Sequence, residues 1–272
     1  MRVIVTRVQP QAGLWVQKLA PVHDAVALPL IETRGLSDPA ALISAWQHWA
    51  DYAAVMFVSS HAVNYFFESK PVVVQVKYGS DTLKTRAWAT GPGTRDALLS
   101  QGMPADLVDS PPAERGQFDS EALWQQVHNQ IEPGARVLIV RGDTRGDDDP
   151  VATDASSGGV PGVGRDWLAQ CLQAAGAQVD FVVAYRRGTP VWSPAELSLA
   201  VAAAADGSVW VFSSAEALDN LQTLMPTQDW AKARAVATHP RIAAAARQLG
   251  FGVVSESRPT LPSVLASIES RA

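Results

Sequence analysis

Arg2-Val3-Ile4-Val5-Thr6-Arg7 is restated near the middle of the chain as Arg136-Val137-Leu138-Ile139-Val140-Arg141. Each is a short β-branched run bounded by Arg and free of charge inside, the composition of a strand buried on both faces of a parallel sheet. A helical pattern with a Trp follows each, Trp15 in one case and Trp167 in the other. Two more blocks recur. Phe57-Val58-Ser59-Ser60-His61-Ala62-Val63 matches Phe212-Ser213-Ser214-Ala215-Glu216-Ala217-Leu218. Ala89-Thr90-Gly91-Pro92-Gly93-Thr94, running on to Gly102-Met103, matches Ala237-Thr238-His239-Pro240-Arg241-Ile242, running on to Gly250-Phe251, without a gap.

The block that comes first in one copy comes last in the other. That order follows if the chain begins one lobe, crosses to build the whole of a second, and returns to finish the first. The crossings should then be two adjacent extended segments, with Leu30 to Arg34 and Tyr185 to Gly188 as the candidates. They assign 1–33 with 188–272 to a discontinuous lobe and 36–184 to an inserted one, with linkers near 30–35 and 185–188. Within both, short β-branched runs alternate with helical patterns, which predicts an α/β protein with mostly parallel sheets. Strands are predicted at Ala54 to Ser59, Arg86 to Thr90, Gln178 to Tyr185, Val209 to Ser213 and Arg234 to Thr238. Another is predicted at Val26 to Ile31, broken by Pro29. Two segments joining two lobes predict a hinge over a cleft, a favoured place for a ligand.

Composition narrows what that ligand is. The 272 residues carry 22 Lys+Arg against 27 Asp+Glu, a net charge of −5. With no Lys/Arg cluster, this excludes nucleic acid and anionic membrane as expected partners. No apolar run reaches membrane-spanning length, and the N-terminal strand lacks the h-region of an export signal, so a cytoplasmic protein is expected. The single Cys171 excludes an intrachain disulfide and a thiolate zinc site, and its apolar surroundings predict a small buried residue. No His pair has metal-ligand spacing. Gly142 to Gly164, with Asp147-Asp148-Asp149 and Ser156-Ser157-Gly158-Gly159, reads as a solvated flexible loop.

The matched motifs share one design: a strand ends in small polar residues and a helix starts at once. Ser59-Ser60, Gly93-Thr94, Ser213-Ser214 and His239-Pro240-Arg241 mark the four ends. At the carboxyl ends of parallel strands, free N–H groups and the positive end of a helix dipole bind anions without formal charge. Ser and Thr there also serve simply as helix caps. Arg7 and Arg141 stand at equivalent strand ends, where a guanidinium meets carboxylates. Arg241 opposes the dipole of its own helix, which favours a ligand role over a structural one. Tyr185 stands where the chain leaves the inserted lobe, and its phenol is a proton or hydrogen-bond donor. There is no Walker loop and no Gly-x-Ser-x-Gly elbow, and Gly91-Pro92-Gly93 lacks the third Gly of a dinucleotide fingerprint.

The ordered set Thr6-Arg7, Pro29-Leu30-Ile31, Phe57-x-Ser59-x-x-Ala62-Val63, Gly91-Pro92-Gly93-Thr94, Arg141-Gly142, Tyr185-Arg186-Arg187, Phe212-x-Ser214 and His239-Pro240-Arg241-Ile242-Ala243 resembles uroporphyrinogen-III synthases. The resemblance implies two flavodoxin-like lobes joined by a two-stranded linker. It also implies cyclisation of the linear tetrapyrrole hydroxymethylbilane, with inversion of the last pyrrole ring and loss of water. Neither a metal nor an organic cofactor is implied, and a monomer is. The substrate carries an acetate and a propionate on every ring. Carried over, Ser59 keeps one hydroxyl of the family's Thr-Ser pair, with Val58 in place of the Thr. Thr94 keeps the Thr of the Gly-x-x-Thr turn, and Tyr185 is the linker Tyr proposed to assist loss of the hydroxyl. His239-Pro240-Arg241-Ile242 lacks the second-lobe Thr, which leaves Arg241 as the substitute binder. Tyr185 is thus the candidate catalytic residue. Arg7, Ser59, Ser60, Gly93, Thr94, Arg141, Ser213, Ser214, His239 and Arg241 are candidate substrate binders. A two-lobed cytosolic binding or sensor protein for an anionic small molecule is the competing reading, and a flavodoxin-like electron carrier a weaker one.

Overall fold

The computed structural model describes residues 1–72, 84–112, 120–143 and 163–270. Its strands are β1 (Arg2–Val5), β2 (Asp24–Ala27), β3 (Glu32–Gly35), β4 (Ala54–Phe57), β5 (Arg86–Ala89), β6 (Val108–Asp109), β7 (Arg136–Asp143), β8 (Gln178–Gly188), β9 (Val209–Phe212), β10 (Arg234–Ala237) and β11 (Val253–Glu256). Its α-helices are α1 (Gln11–Leu19), α2 (Ala40–Gln47), α3 (Ser60–Glu68), α4 (Pro92–Ser100), α5 (Ser120–Val127), α6 (Val163–Ala174), α7 (Pro194–Ala205), α8 (Ala215–Leu224), α9 (Pro240–Leu249) and α10 (Leu261–Glu269). They form two units, Met1–Thr33 with Gly188–Ala272, and Arg34–Arg187.

In the first unit the sheet order is β11-β10-β9-β1-β2, and all four pairings are parallel. Counted in the order the chain enters the unit, this is the 2-1-3-4-5 arrangement of flavodoxin-type sheets. In the second unit the order is β3-β8-β7-β4-β5-β6, with parallel pairing from β8 through β6. Starting the count at β7 gives the same arrangement for its last five strands. The repeated segments therefore occupy equivalent places: β7 corresponds to β1, β4 to β9, and β5 to β10. Two flavodoxin-like sheets of one design are threaded from different starting strands.

The strands read as apolar runs because both faces are covered. On β4, Val55 and Phe57 enter one cluster with Trp46, Trp49 and Phe66, while Ala54 and Met56 enter another with Trp88, Leu123 and Leu168. On β9, Trp210 and Phe212 pack with Trp230 and Phe251, and Val209 and Val211 with Val3, Val5 and Val264. Asn220 of α8 ties the two places where the chain leaves and re-enters the first unit. Its amide nitrogen donates to Leu30 O at 2.8 Å, and its oxygen accepts from Thr189 Oγ1 at 2.9 Å.

Three details differ from the sequence reading and one agrees with it. β2 stops at Ala27, short of Pro29, although Leu28 N–H still reaches Val5 O at 3.0 Å. The crossing segment is extended, as expected, and its strand β3 lies at the sheet edge beside β8. β7 continues to Asp143, so Gly142 and Asp143 belong to a strand and not to the loop, and Asp143 is buried. Cys171 is half-buried and not part of the core. Asp147-Asp148-Asp149 and Ser156 to Gly159 lie outside the described residues.

Candidate active site

In a doubly wound sheet, ligands collect at the carboxyl ends of the strands where the winding reverses. That point lies between β1 and β9 in the first unit and between β7 and β4 in the second. The sequence candidates cluster at both.

Tyr185 reaches its place through an irregularity in β8. Arg141 is opposite Val183, but Gly142 is opposite Tyr185, so Ala184 is an extra residue in the pairing. Up to that point the strand alternates: Val179 and Phe181 pack on one side, Val182 and Ala184 on the other. A one-residue shift exchanges faces. It brings Tyr185 to the same side as Ala184, in the cluster of Phe57, Phe66 and Val140, where it is 4% exposed.

On that side stands the start of α3. Ser59 is its N-cap, in extended conformation, and its Oγ accepts from Ala62 N–H at 3.1 Å. The same hydroxyl lies 3.1 Å from Tyr185 Oη. The Tyr65 ring stacks on Tyr185 with centroids 5.5 Å apart at 18°, and the His61 ring lies at 5.9 Å. Ser60 is half-buried in the first turn. Arg141 goes elsewhere: its guanidinium lies over the Phe181 ring at 4.8 Å. Phe181 packs on the side of the sheet opposite Tyr185.

The start of α4 is different. Gly91 is the N-cap without a side-chain bond, and Pro92 has no N–H to offer. Thr94 and Arg95 N–H both reach Gly91 O, at 3.1 and 3.0 Å. Gly93 is exposed, and a Cβ built on it meets nothing within 4 Å, so no steric demand explains the glycine. Thr94 is buried at 6% exposure.

In the first unit, Arg7 lies over the Trp15 ring at 4.2 Å and its Nη1 donates to Gln11 Oε1 at 3.1 Å. Burial pushes its pKa down, and its buried Nε has no hydrogen-bond partner. Arg7 and Arg141 thus share a posture as well as a topological position: each guanidinium is laid on an aromatic ring. Thr6 beside Arg7 is structural, its hydroxyl donating to Val211 O at 2.7 Å. Ser213 and Ser214 are half-buried, and Ser214 N-caps α8 with no side-chain bond. His239 caps α9, its Nδ1 accepting from Arg241 N–H at 3.1 Å, and both residues are exposed.

The four helix ends are therefore not alike. A side chain closes α3 and α9, whereas α4 and α8 have no such closure. An uncapped first turn leaves N–H groups that an anion can take, although in α4 only that of Gly93 remains, since Pro92 has none and Thr94 and Arg95 bond Gly91 O. Among the described residues, no three His, Cys, Asp or Glu side chains converge as metal ligands, and no helix is long and apolar enough to cross a membrane.

The family model described as uroporphyrinogen-III synthase HemD matches residues 21–151 and 160–266. The chain belongs to the uroporphyrinogen-III synthase family. Its activity is the family's: a cyclising lyase reaction of tetrapyrrole biosynthesis, from hydroxymethylbilane to uroporphyrinogen III. Its structure is similar to that of uroporphyrinogen-III synthetase from Helicobacter pylori 26695, at 16% identity, with all of both chains covered and a TM-score of 0.53. A mutant uroporphyrinogen III synthase from the extremely thermophilic bacterium Thermus thermophilus matches at 16% identity and a TM-score of 0.49, over 99% of this chain and 98% of that one. The Helicobacter likeness supports the two-lobed fold. Membership of the family rests on the family model.

Sequence reasoning missed Tyr65, which stacks on Tyr185, and Gly142, which stands opposite Tyr185 in the β7–β8 pairing. Both meet Tyr185 across large sequence separations, and nothing local to either residue signals it.

Proposed function

We propose that this chain closes hydroxymethylbilane with Tyr185 as the proton donor to the leaving hydroxyl. Guanidinium groups and helix starts at the strand ends bind the substrate carboxylates. The observation that carries the reading is the Tyr185–Ser59 contact at the carboxyl end of β4. Ser59 Oγ accepts from Ala62 N–H, so its own proton is free to point at Tyr185 Oη. The phenol proton is then directed away from Ser59, toward substrate. On transfer, the carbon–oxygen bond of the hydroxymethyl group breaks and water leaves. The phenolate oxygen left behind is steadied by the Ser59 hydroxyl, and through it by the start of α3.

The resulting azafulvene cation is reactive enough to close without help, and unaided closure gives the unrearranged isomer. The protein's task is therefore largely positional: it holds the linear chain so that attack occurs at the substituted carbon of the last ring. Ring opening and reclosure of that spiro species invert the ring, and the proton released restores the phenol. Freshly prepared hydroxymethylbilane, incubated with the protein, tests the reading once its products are oxidised and separated. An excess of the rearranged isomer is expected, and the unrearranged isomer alone would sink it.

We further infer a cytoplasmic monomer with no nucleic-acid partner. The net charge of −5 without a basic cluster supports the absence of a nucleic-acid partner, and light scattering on the purified chain tests the monomer.

A further inference from the structure

Position 142 carries no side chain, and Tyr185 occupies the space one would take. A Cβ built on Gly142 strikes Tyr185 Cζ and falls 2.7 and 2.9 Å from its Cε2 and Cε1. Real Cβ atoms do not approach other atoms so closely, so one of the two must give. The contact is at the phenol end of the ring, so it is the hydroxyl that a substituent would displace. Tyr65 closes the ring from another direction, stacked at 18°. The Tyr65 ring in turn lies 3.6 Å from a Cβ built on Gly35 of β3, an ordinary van der Waals distance. Of these contacts, the one at Gly142 is where a side chain would force a shift.

A phenol tethered by one hydrogen bond still has two side-chain torsions to sweep. The bond to Ser59 fixes a distance, not an approach. The stacked ring and the bare backbone at 142 restrict the rest. We propose that Gly142 and Tyr65 are positioning residues for the closure reaction, setting where the Tyr185 hydroxyl stands without themselves donating a proton. The inference rests on the reading of Tyr185 as proton donor.

The test is a pair of double-mutant cycles in the full chain, with kcat and KM measured on fresh hydroxymethylbilane. Gly142→Ala is expected to lower kcat about 10²-fold and Tyr65→Leu about tenfold, with KM within about twofold, since an ångström of misplacement costs that much. Tyr65→Phe keeps the stacked ring and should recover most of the loss. In a Tyr185→Phe background, where no phenol proton remains to be aimed, each change should cost less than about twofold more. If both changes retain their full cost in that background, the positioning role is wrong while the proton-donor reading stands. A loss carried by KM would overturn it equally. If Tyr185→Phe alone keeps full turnover, the proton-donor reading fails first and the inference with it. Should Gly142→Ala not fold, as judged by near-ultraviolet circular dichroism, the Tyr65 cycle decides alone.

Discussion

The hydroxyl oxygens of Tyr185 and Ser59 stand 3.1 Å apart across 126 residues of sequence. One lies near the end of a long strand, β8, and the other caps the start of a helix, α3. Their meeting depends on the extra residue Ala184, without which alternation along β8 carries the phenol to the far side of the sheet. The pair joins a helix start to a titratable side chain through one hydroxyl, and four predictions develop from it and from the other helix ends.

Tyr185→Phe removes a donor and little volume. If the phenol protonates the leaving group, kcat falls about 10²-fold, the lower range for general acid catalysis, and KM changes little. Because unaided closure competes, the unrearranged isomer should form a larger share of product. Chromatographic separation of the oxidised porphyrins checks both.

Ser59→Ala and Ser214→Ala should behave oppositely. Ser59 makes a cap bond to Ala62 N–H and Ser214 makes none. Losing a working cap costs about 1 kcal/mol, so Ser59→Ala should lower Tm by about 2–4 °C. Ser214→Ala should leave Tm nearly unchanged and raise KM. Differential scanning fluorimetry beside steady-state kinetics separates them.

Arg241→Glu places a carboxylate at the exposed start of α9, where the substrate's own carboxylates are proposed to bind. KM should rise about three- to tenfold, in line with one charge-assisted contact near a helix end. An unchanged KM in the steady-state assay would remove Arg241 from the binding set.

Glu196 gives the acid side of the stability profile a local origin. Ser193 N–H and O–H donate to its Oε2 at 2.8 and 2.7 Å. The backbone bond first, then the hydroxyl bond, holds its pKa below the ordinary value. A folded value below the unfolded one stabilises the protein fully above the unfolded pKa of about 4.3. That contribution fades as pH falls through the lower folded value. The Tm difference between wild type and Glu196→Gln should therefore be present at neutral pH and vanish in acid, as thermal melts across pH will show.

Much of this was legible in the chain itself. Strands such as Val3 to Val5 and Val137 to Val140 are covered on both faces, so they read as apolar runs whose repetition betrays the permuted order. β3 was legible only through the permuted order, which calls for two adjacent extended crossings; Glu32-Thr33-Arg34-Gly35 itself lies at a sheet edge and carries no apolar signal. The positions of the helix ends were legible. Which of them closes its own N–H groups was not, because that turns on a side-chain torsion at Ser59, Ser214 and His239. The shift at Ala184 and the stacking of Tyr65 are properties of paired elements, and no local pattern in β8 or α3 encodes them.

The permuted order also sets a timetable. As the chain is made, β1, α1 and β2 emerge before the second unit, yet β1 is a central strand whose other neighbour, β9, follows the whole of Arg34–Arg187. The second unit is contiguous and can fold as soon as it has emerged, as domains generally do during synthesis. Meanwhile Val3, Ile4 and Val5, fully buried in the finished protein, wait with one edge unpaired. Of the two units, the one begun earlier is thus completed later, and a nascent chain halted near Gly188 carries one finished sheet and an orphaned β1-α1-β2 remnant of the other.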